Sequence, residues 1–194
     1  MSLKNTLSVL AGVLVVLGYA PYIRAILKRQ TKPSKASWII WATLDLITII
    51  AMFVKHTVNG QIVGAVAGSW VVVALAIKYG TPGWTKLDKF CLGGSALGIA
   101  LWLAFSSPVL CLMTSQSVVV IASFPTFASS WRSPSAESRL GWTCWWLSCV
   151  LATIAIPHWT LMDAFQPLAW SAIETTMMFI LFVRPRLMKR RTSV

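Results

Sequence analysis

The chain has 194 residues, of which 57% are apolar and 11% charged, and 17 Lys and Arg against 5 Asp and Glu give a net charge of +12. Soluble domains are about 45–50% apolar and about 25% charged, and a soluble globule of this size cannot bury so much apolar surface. The composition therefore excludes an intrinsically disordered chain, a secreted disulfide scaffold and an ordinary cytosolic enzyme, and it indicates a multi-pass membrane protein.

Seven apolar segments follow one another along the chain. Each is close to the ~17–25 residues that a helix needs to cross a bilayer, and basic, proline-containing or glycine-containing stretches separate them. We predict an all-α integral membrane protein with transmembrane helices over residues 5–23, 37–54, 60–79, 90–106, 109–128, 140–157 and 161–183.

The basic residues alternate between the gaps in a way that predicts orientation. The gaps after the first, third and fifth segments, together with the tail, contain fifteen Lys and Arg, whereas the opposite side has only Lys4 and Lys55. Basic residues collect on the cytoplasmic side of membrane proteins. We therefore expect the amino end outside, the carboxyl end in the cytoplasm, and the protein in the cell (inner) membrane.

Two stretches of the chain resemble each other. Each has a proline late in an apolar segment, Pro21 in the first and Pro125 in the fifth, and each has a Pro-Ser pair in the basic loop that follows. In both, a tryptophan lies eight residues after the loop proline, at Trp41 and Trp142. This internal similarity predicts a duplicated unit.

The duplication divides the chain into three parts. Residues 1–83 form one three-helix repeat, residues 84–107 a linker helix, and residues 108–194 a second three-helix repeat with a basic cytoplasmic tail. Because the linker adds one crossing, the two repeats have the same orientation and are parallel repeats. Transporters built from such repeats bind their substrate near the middle of the membrane and alternate access between the two sides.

This 3+1+3 arrangement resembles the PQ-loop superfamily, which includes the SWEET sugar transporters. The resemblance covers essentially the whole chain in architecture. Pro21 and Pro125 match the family's prolines, and Tyr22 and Thr126 stand where the family has glutamine. It implies a seven-helix transporter with its amino end outside, in which the two prolines act as hinges.

Two acidic residues fall near the middle of apolar segments. Asp45 lies eight residues after Ser37, which is about 12 Å of depth at ~1.5 Å per residue, and Glu174 lies near the middle of the last segment. A charge at that depth costs at least ~2.5–3.5 kcal/mol, and no basic residue lies deep in any segment. Either acid could hold a proton, contact a ligand, or bond to a neighbouring helix.

Aromatic residues accompany the acids. Aligning the two similar stretches at their loop prolines pairs residue 41 with residue 142 and residue 45 with residue 146. Trp41 and Trp142 are therefore expected at matching depth in the two repeats, and so are Asp45 and Trp146. Aromatic faces beside an acid suit sugar rings, heteroaromatic bases or cations.

Six further tryptophans are predicted in two kinds of location. Two deeper ones, Trp70 and Trp170, could line the same cavity as the acids. Four are expected in the interfacial belts of the membrane: Trp38, Trp84, Trp131 and Trp159.

Small residues recur at every fourth position in two segments. Gly60, Gly64 and Gly68 form one stripe, and Gly94 and Gly98 form another. Such stripes let helices approach closely, so we interpret them as packing surfaces, within a repeat or between protomers.

The sequence predicts a transporter, not an enzyme, that moves a small polar solute by alternating access, with proton coupling through Asp45 or Glu174 as a further hypothesis. The alternatives are a ligand-binding receptor on the same scaffold, a lipid scramblase, and an intramembrane enzyme using the two acids. We expect no metal, cofactor or nucleic acid, and a homo-oligomer is possible. The predicted substrate-binding residues are Trp41, Asp45, Trp142, Trp146, Trp170 and Glu174.

Overall fold

The computed structural model describes residues 2–80, 86–105 and 107–192, and these residues form helices and no strands. The prediction of an all-helical fold is confirmed. The helices are α1 (Leu3–Leu27), α2 (Lys35–Val54), α3 (Gly60–Tyr79), α4 (Lys86–Phe105), α5 (Pro108–Arg132), α6 (Arg139–Ile154), α7 (Leu161–Met178) and α8 (Arg184–Thr192), with a 3₁₀ turn at Pro134–Ala136 and a π-helical segment at Phe179–Val183 between α7 and α8.

Six of the helices begin at a polar residue that caps them. Each capping side chain accepts a hydrogen bond from a backbone N–H three residues further on, which satisfies one of the free donors of the first turn. The caps are Ser2, Ser34, Asn59, Ser107, Ser138 and Thr160.

Within the described residues, five helical stretches are long and apolar enough to cross a membrane: Leu3–Leu27, Lys35–Val54, Gly60–Tyr79, Pro108–Arg132 and Leu161–Met188. They indicate a membrane-embedded protein. Helix α4 has 20 residues, whereas α6 has 16, just below the usual length of a transmembrane helix.

The helices pack in a definite order. Helix α3 contacts both α1 and α2, and α7 contacts both α5 and α6. Two further contacts, α1 with α6 and α2 with α5, join these two groups, and α4 packs mainly on α5. The interior of the bundle thus lies between α1, α2 and α3 on one side and α5, α6 and α7 on the other.

Glycines explain how closely α3 approaches α1. A side chain at Gly64 would place its Cβ 2.7 Å from the carbonyl oxygen of Gly12, and one at Gly60 would overlap the backbone at Ser8. Gly68 lies directly against the ring of Tyr19. Only residues without a side chain allow this distance between the two backbones.

The other predicted packing and hinge residues lie as follows. Gly94 is 3.5 Å from Val118 of α5, measured from a Cβ built on the glycine, and the surroundings of Gly98 lie outside the described part of the chain. Pro21 and Pro125 are inside α1 and α5. A proline within a helix cannot donate a backbone hydrogen bond, so each helix is locally weakened there.

Candidate functional site

The main cavity lies between the two groups of helices. Its unfilled space is about 610 Å³, including the part open to solvent. The wall is formed by α1, α2, α3, α5, α6 and α7: Val15, Tyr19, Trp38, Trp41, Asp45, Gln61, Ala65, Val119, Ser123, Trp142, Trp145, Cys149, Trp170, Ile173 and Glu174.

Two carboxyl groups enter this cavity from opposite groups of helices. Asp45 comes from α2 and is 5% exposed. Glu174 comes from α7 and is half-buried, and its Oε2 atom is fully buried with no hydrogen-bond partner among the described residues. The described residues therefore leave one carboxyl oxygen of a cavity-lining side chain unsatisfied.

Two indole N–H groups of the cavity are also left without a partner. The Nε1 atoms of Trp41 and Trp170 are buried and make no hydrogen bond within the described part of the chain. Leaving a buried donor or acceptor unpaired costs about 1–3 kcal/mol, and buried polar groups are rarely left so in proteins. Trp41, Trp170 and Glu174 all line the main cavity, and each has one buried polar atom without a partner among the described residues.

The polar atoms of the neighbouring aromatic residues are satisfied, in contrast. Tyr19 donates its hydroxyl to the carbonyl of Ala65 at 3.2 Å, and Trp145 donates Nε1 to the carbonyl of Val15 at 3.1 Å. Trp38 donates Nε1 to a tyrosine hydroxyl at 3.3 Å. These bonds hold three aromatic side chains in place as a fixed wall.

The wall is a continuous set of aromatic contacts. The rings of Trp38 and Trp41 are 5.3 Å apart in an edge-to-face arrangement, and those of Tyr19 and Trp145 are 5.2 Å apart. Trp142 and Trp145 make a further edge-to-face contact at 5.4 Å. Such contacts contribute about 0.5–1.5 kcal/mol each beyond the area they bury, so this side of the cavity is well ordered.

A chain of hydrogen-bonded polar side chains lies where α3 begins. Asn59 donates its amide to Gln166 Oε1 at 2.8 Å, and Gln166 donates to Gln61 Oε1 at 3.0 Å. Gln61 donates in turn to Ser148 Oγ at 3.3 Å and to Cys149 Sγ at 3.1 Å. This amide chain connects α3, α7 and α6, and Gln61 carries it to the cavity wall.

A second cleft lies at the opposite end, next to the loop between α5 and α6. Its unfilled space is about 920 Å³, including the part open to solvent, and Pro21, Arg24, Lys28 and Glu137 are among its lining residues. Glu137 accepts a hydrogen bond from Trp142 Nε1 at 3.0 Å. Burial raises the pKa of the Glu137 carboxyl to about 7, while this hydrogen bond acts in the opposite direction.

The structure brings together five of the six predicted substrate-binding residues. Trp41, Asp45, Trp142, Trp170 and Glu174 all line the main cavity. The sixth, Trp146, is not among the lining residues, and its Nε1 donates to Thr175 Oγ1 at 3.2 Å. Its neighbour Trp145 takes a place in the wall instead.

The tryptophans predicted for the membrane interface have different surroundings. Trp131 and Trp159 are 47% and 70% exposed. The prediction for Trp38 is wrong, because this residue is 5% exposed and packs inside the bundle. Trp70 is exposed on α3 and does not line the main cavity, and Trp84 lies outside the described residues.

Some polar residues of the site were not predicted from the sequence. Gln61 and Gln166 lie within apolar segments, and both are fully buried. A glutamine at membrane depth usually bonds to another helix, so this was a signal that could have identified the amide chain. The Glu137 contact with Trp142 depends on the shape of a short loop, which the sequence does not reveal.

The described residues contain no group of three His, Cys, Asp or Glu side chains that could hold a metal ion. Comparison of the chain with protein-family models, with curated proteins and with solved structures found no match. The geometry of the cavity is therefore the basis for assigning a function.

Proposed function

We propose that the protein is a membrane transporter that moves a small polar solute through the main cavity by alternating access. The observation that carries this proposal is the set of three buried polar atoms without a partner among the described residues: Trp41 Nε1, Trp170 Nε1 and Glu174 Oε2. Two donors and one carboxyl oxygen, carried by side chains that line the same cavity, are complementary to a ligand with its own polar groups. A bound solute would satisfy all three.

The packing of the helices supports two three-helix repeats. In the first repeat α3 lies between α1 and α2, and in the second α7 lies between α5 and α6. The same order in both halves is expected of a duplicated unit, with α4 as the linker. Together with the alternation of basic residues along the chain, it supports seven crossings with the amino end outside.

The location of the cavity supports movement of the repeats against each other. Residues of both groups of helices form its wall, so a change in the angle between the groups would open one end and close the other. Pro21 lies at the second cleft, in the carboxyl-terminal part of α1. Pro125 has the corresponding place in α5. The two prolines would serve as hinges, one in each repeat.

The test begins with purified protein and a panel of neutral, cationic and anionic metabolites. A compound that raises the melting temperature is then supplied in labelled form to proteoliposomes, and its uptake is measured. We expect a stabilising compound that is also transported, and we expect Trp170→Phe and Glu174→Gln to reduce both stabilisation and uptake. Trp146→Phe is the matched control, because Trp146 does not line the cavity.

Two results would contradict the proposal. Binding with no uptake would indicate a receptor on the same scaffold. Equal effects of Trp170→Phe and Trp146→Phe on uptake would show that the unsatisfied indole of the cavity has no special role.

A further inference from the structure

The described side chains that line the main cavity include acids and no bases. Among its lining residues within the described part of the chain there are two carboxyl groups, Asp45 and Glu174, and no Lys, Arg or His. The other titratable groups of the wall are Tyr19 from α1 and Cys149 from α6, and neither can carry a positive charge. Helices α3 and α5 contribute no titratable side chain to the wall.

An ionised carboxyl group in such a place needs a counter-ion. Removing a charge from water without a partner costs several kcal/mol, and here the described residues of the wall offer no cation. Glu174 Oε2 does not even accept a hydrogen bond from them. The positive charge that would balance a carboxylate must therefore come from the ligand.

The aromatic part of the wall fits the same kind of ligand. Cations are attracted to the faces of tryptophan and tyrosine rings, by about 2 kcal/mol or more when water is excluded, and quaternary ammonium groups are often bound in this way. The aromatic side chains that line the cavity are Tyr19, Trp38, Trp41, Trp142, Trp145 and Trp170.

We infer that the cavity takes a small organic cation, an amine or quaternary ammonium compound, between Asp45 and Glu174 and against the tryptophan rings. This inference rests on the proposed function, because it names the class of solute that the same cavity would carry. The free N–H groups of Trp41 and Trp170 add a preference for a cation that also carries a hydroxyl or carbonyl oxygen.

Binding replaces the proton of one carboxyl group in the cavity by the cation. Without ligand, a carboxyl group of the cavity avoids the cost of a buried charge by keeping its proton. When the cation enters, the O–H bond of that carboxyl group breaks, the proton leaves to water, and the carboxylate remains paired with the cation. Each bound cation therefore releases about one proton.

The test compares cations with neutral molecules of the same shape. Methylammonium, choline and tetraethylammonium are titrated into the purified full-length protein by calorimetry, and 3,3-dimethylbutan-1-ol serves as the uncharged counterpart of choline. Titrations in buffers of different protonation enthalpy measure the protons released. We expect at least one cation to bind at least about tenfold more tightly than the neutral alcohol, with release of about one proton.

Variants locate the binding site. Asp45→Asn and Glu174→Gln keep the size of each side chain and remove its charge, and we expect at least one of them to abolish both cation binding and proton release. Glu137→Gln is the matched control, because Glu137 lines the second cleft and not the main cavity. The comparison of choline with its neutral counterpart uses the wild-type protein, so it does not depend on whether the variants fold.

The outcomes separate this inference from the proposed function. If the alcohol binds as tightly as choline, or if a neutral or anionic metabolite of the panel is the transported compound, the cation inference is wrong and the transporter proposal stands. If both cavity variants bind the cation normally, the inference is also wrong. If none of the metabolites of the panel and none of the three cations binds, the inference and the proposed function both fail.

Discussion

The carboxyl group of Glu137 should make the stability of the protein depend on pH. Its pKa is raised from 4.5 to about 7 by burial beside the second cleft, and it lies in the loop between α5 and α6. Between these two values the folded protein binds more protons than the unfolded chain, so the free energy of unfolding falls as the pH rises. The contribution of this group is fully present below pH ~4.5 and is lost as the pH rises through ~7.

The size of the effect follows from the shift of the pKa. At about 1.4 kcal/mol for each pKa unit, a change from 4.5 to about 7 corresponds to about 3 kcal/mol. Glu137 is half-buried, and solvent reduces the effect, so we expect about 1–2 kcal/mol between pH 5 and pH 8.5. The expected sign is a lower melting temperature at the higher pH.

Thermal unfolding of the detergent-purified protein over this pH range measures the effect. Glu137→Gln keeps an oxygen that can accept from Trp142 and removes the titration, so its melting temperature should fall less than that of the wild type. Trp142→Phe removes the hydrogen bond that favours the ionised form, so its fall should be steeper. The same pH profile for the wild type and Glu137→Gln would refute this reasoning.

Three further predictions test features of the bundle. Gly64→Leu should destabilise the protein by about 1–3 kcal/mol, because a Cβ there would lie 2.7 Å from the Gly12 carbonyl oxygen. Gly93→Leu should have little effect on the melting temperature, because no heavy atom of the described residues lies within 4 Å of a Cβ at this position. Gln61→Leu should cost about 1–3 kcal/mol in the same assay, because its hydrogen-bonding partners stay buried; a neutral result would mean that the amide chain contributes little. Pro21→Ala should stiffen α1, leaving binding of the transported compound intact but slowing uptake in proteoliposomes; unchanged uptake would contradict the hinge.

Much of the architecture could be predicted because hydrophobic length and polar breaks determine helices in a membrane. The breaks before α2 and α3 coincide with the caps Ser34 and Asn59. Counting residues along a segment predicted a similar depth for Asp45 and Glu174, and the structure places both in one cavity.

The faces of the helices were harder to predict. One residue of error turns a side chain by about 100° around the helix axis, and this is the difference between Trp145, which lines the cavity, and Trp146, which does not. Alignment of two loops gives the depth of a residue but not this angle. Trp38 was misplaced for a related reason, because its position near a helix end suits an interfacial residue and an interior one equally well.

The chain of amides between Asn59, Gln166, Gln61 and Ser148 makes the two ends of the bundle resist opening in different ways. Any motion that separates α3 from α6 and α7 at that end must break several of these bonds together, at about 0.5–1.5 kcal/mol each. At the far end, Trp38 and Trp142 make contacts between rings, which weaken gradually as the rings slide, and each donates one indole hydrogen bond. One end of the bundle therefore opens only when several hydrogen bonds break at once, whereas the other can open in smaller steps.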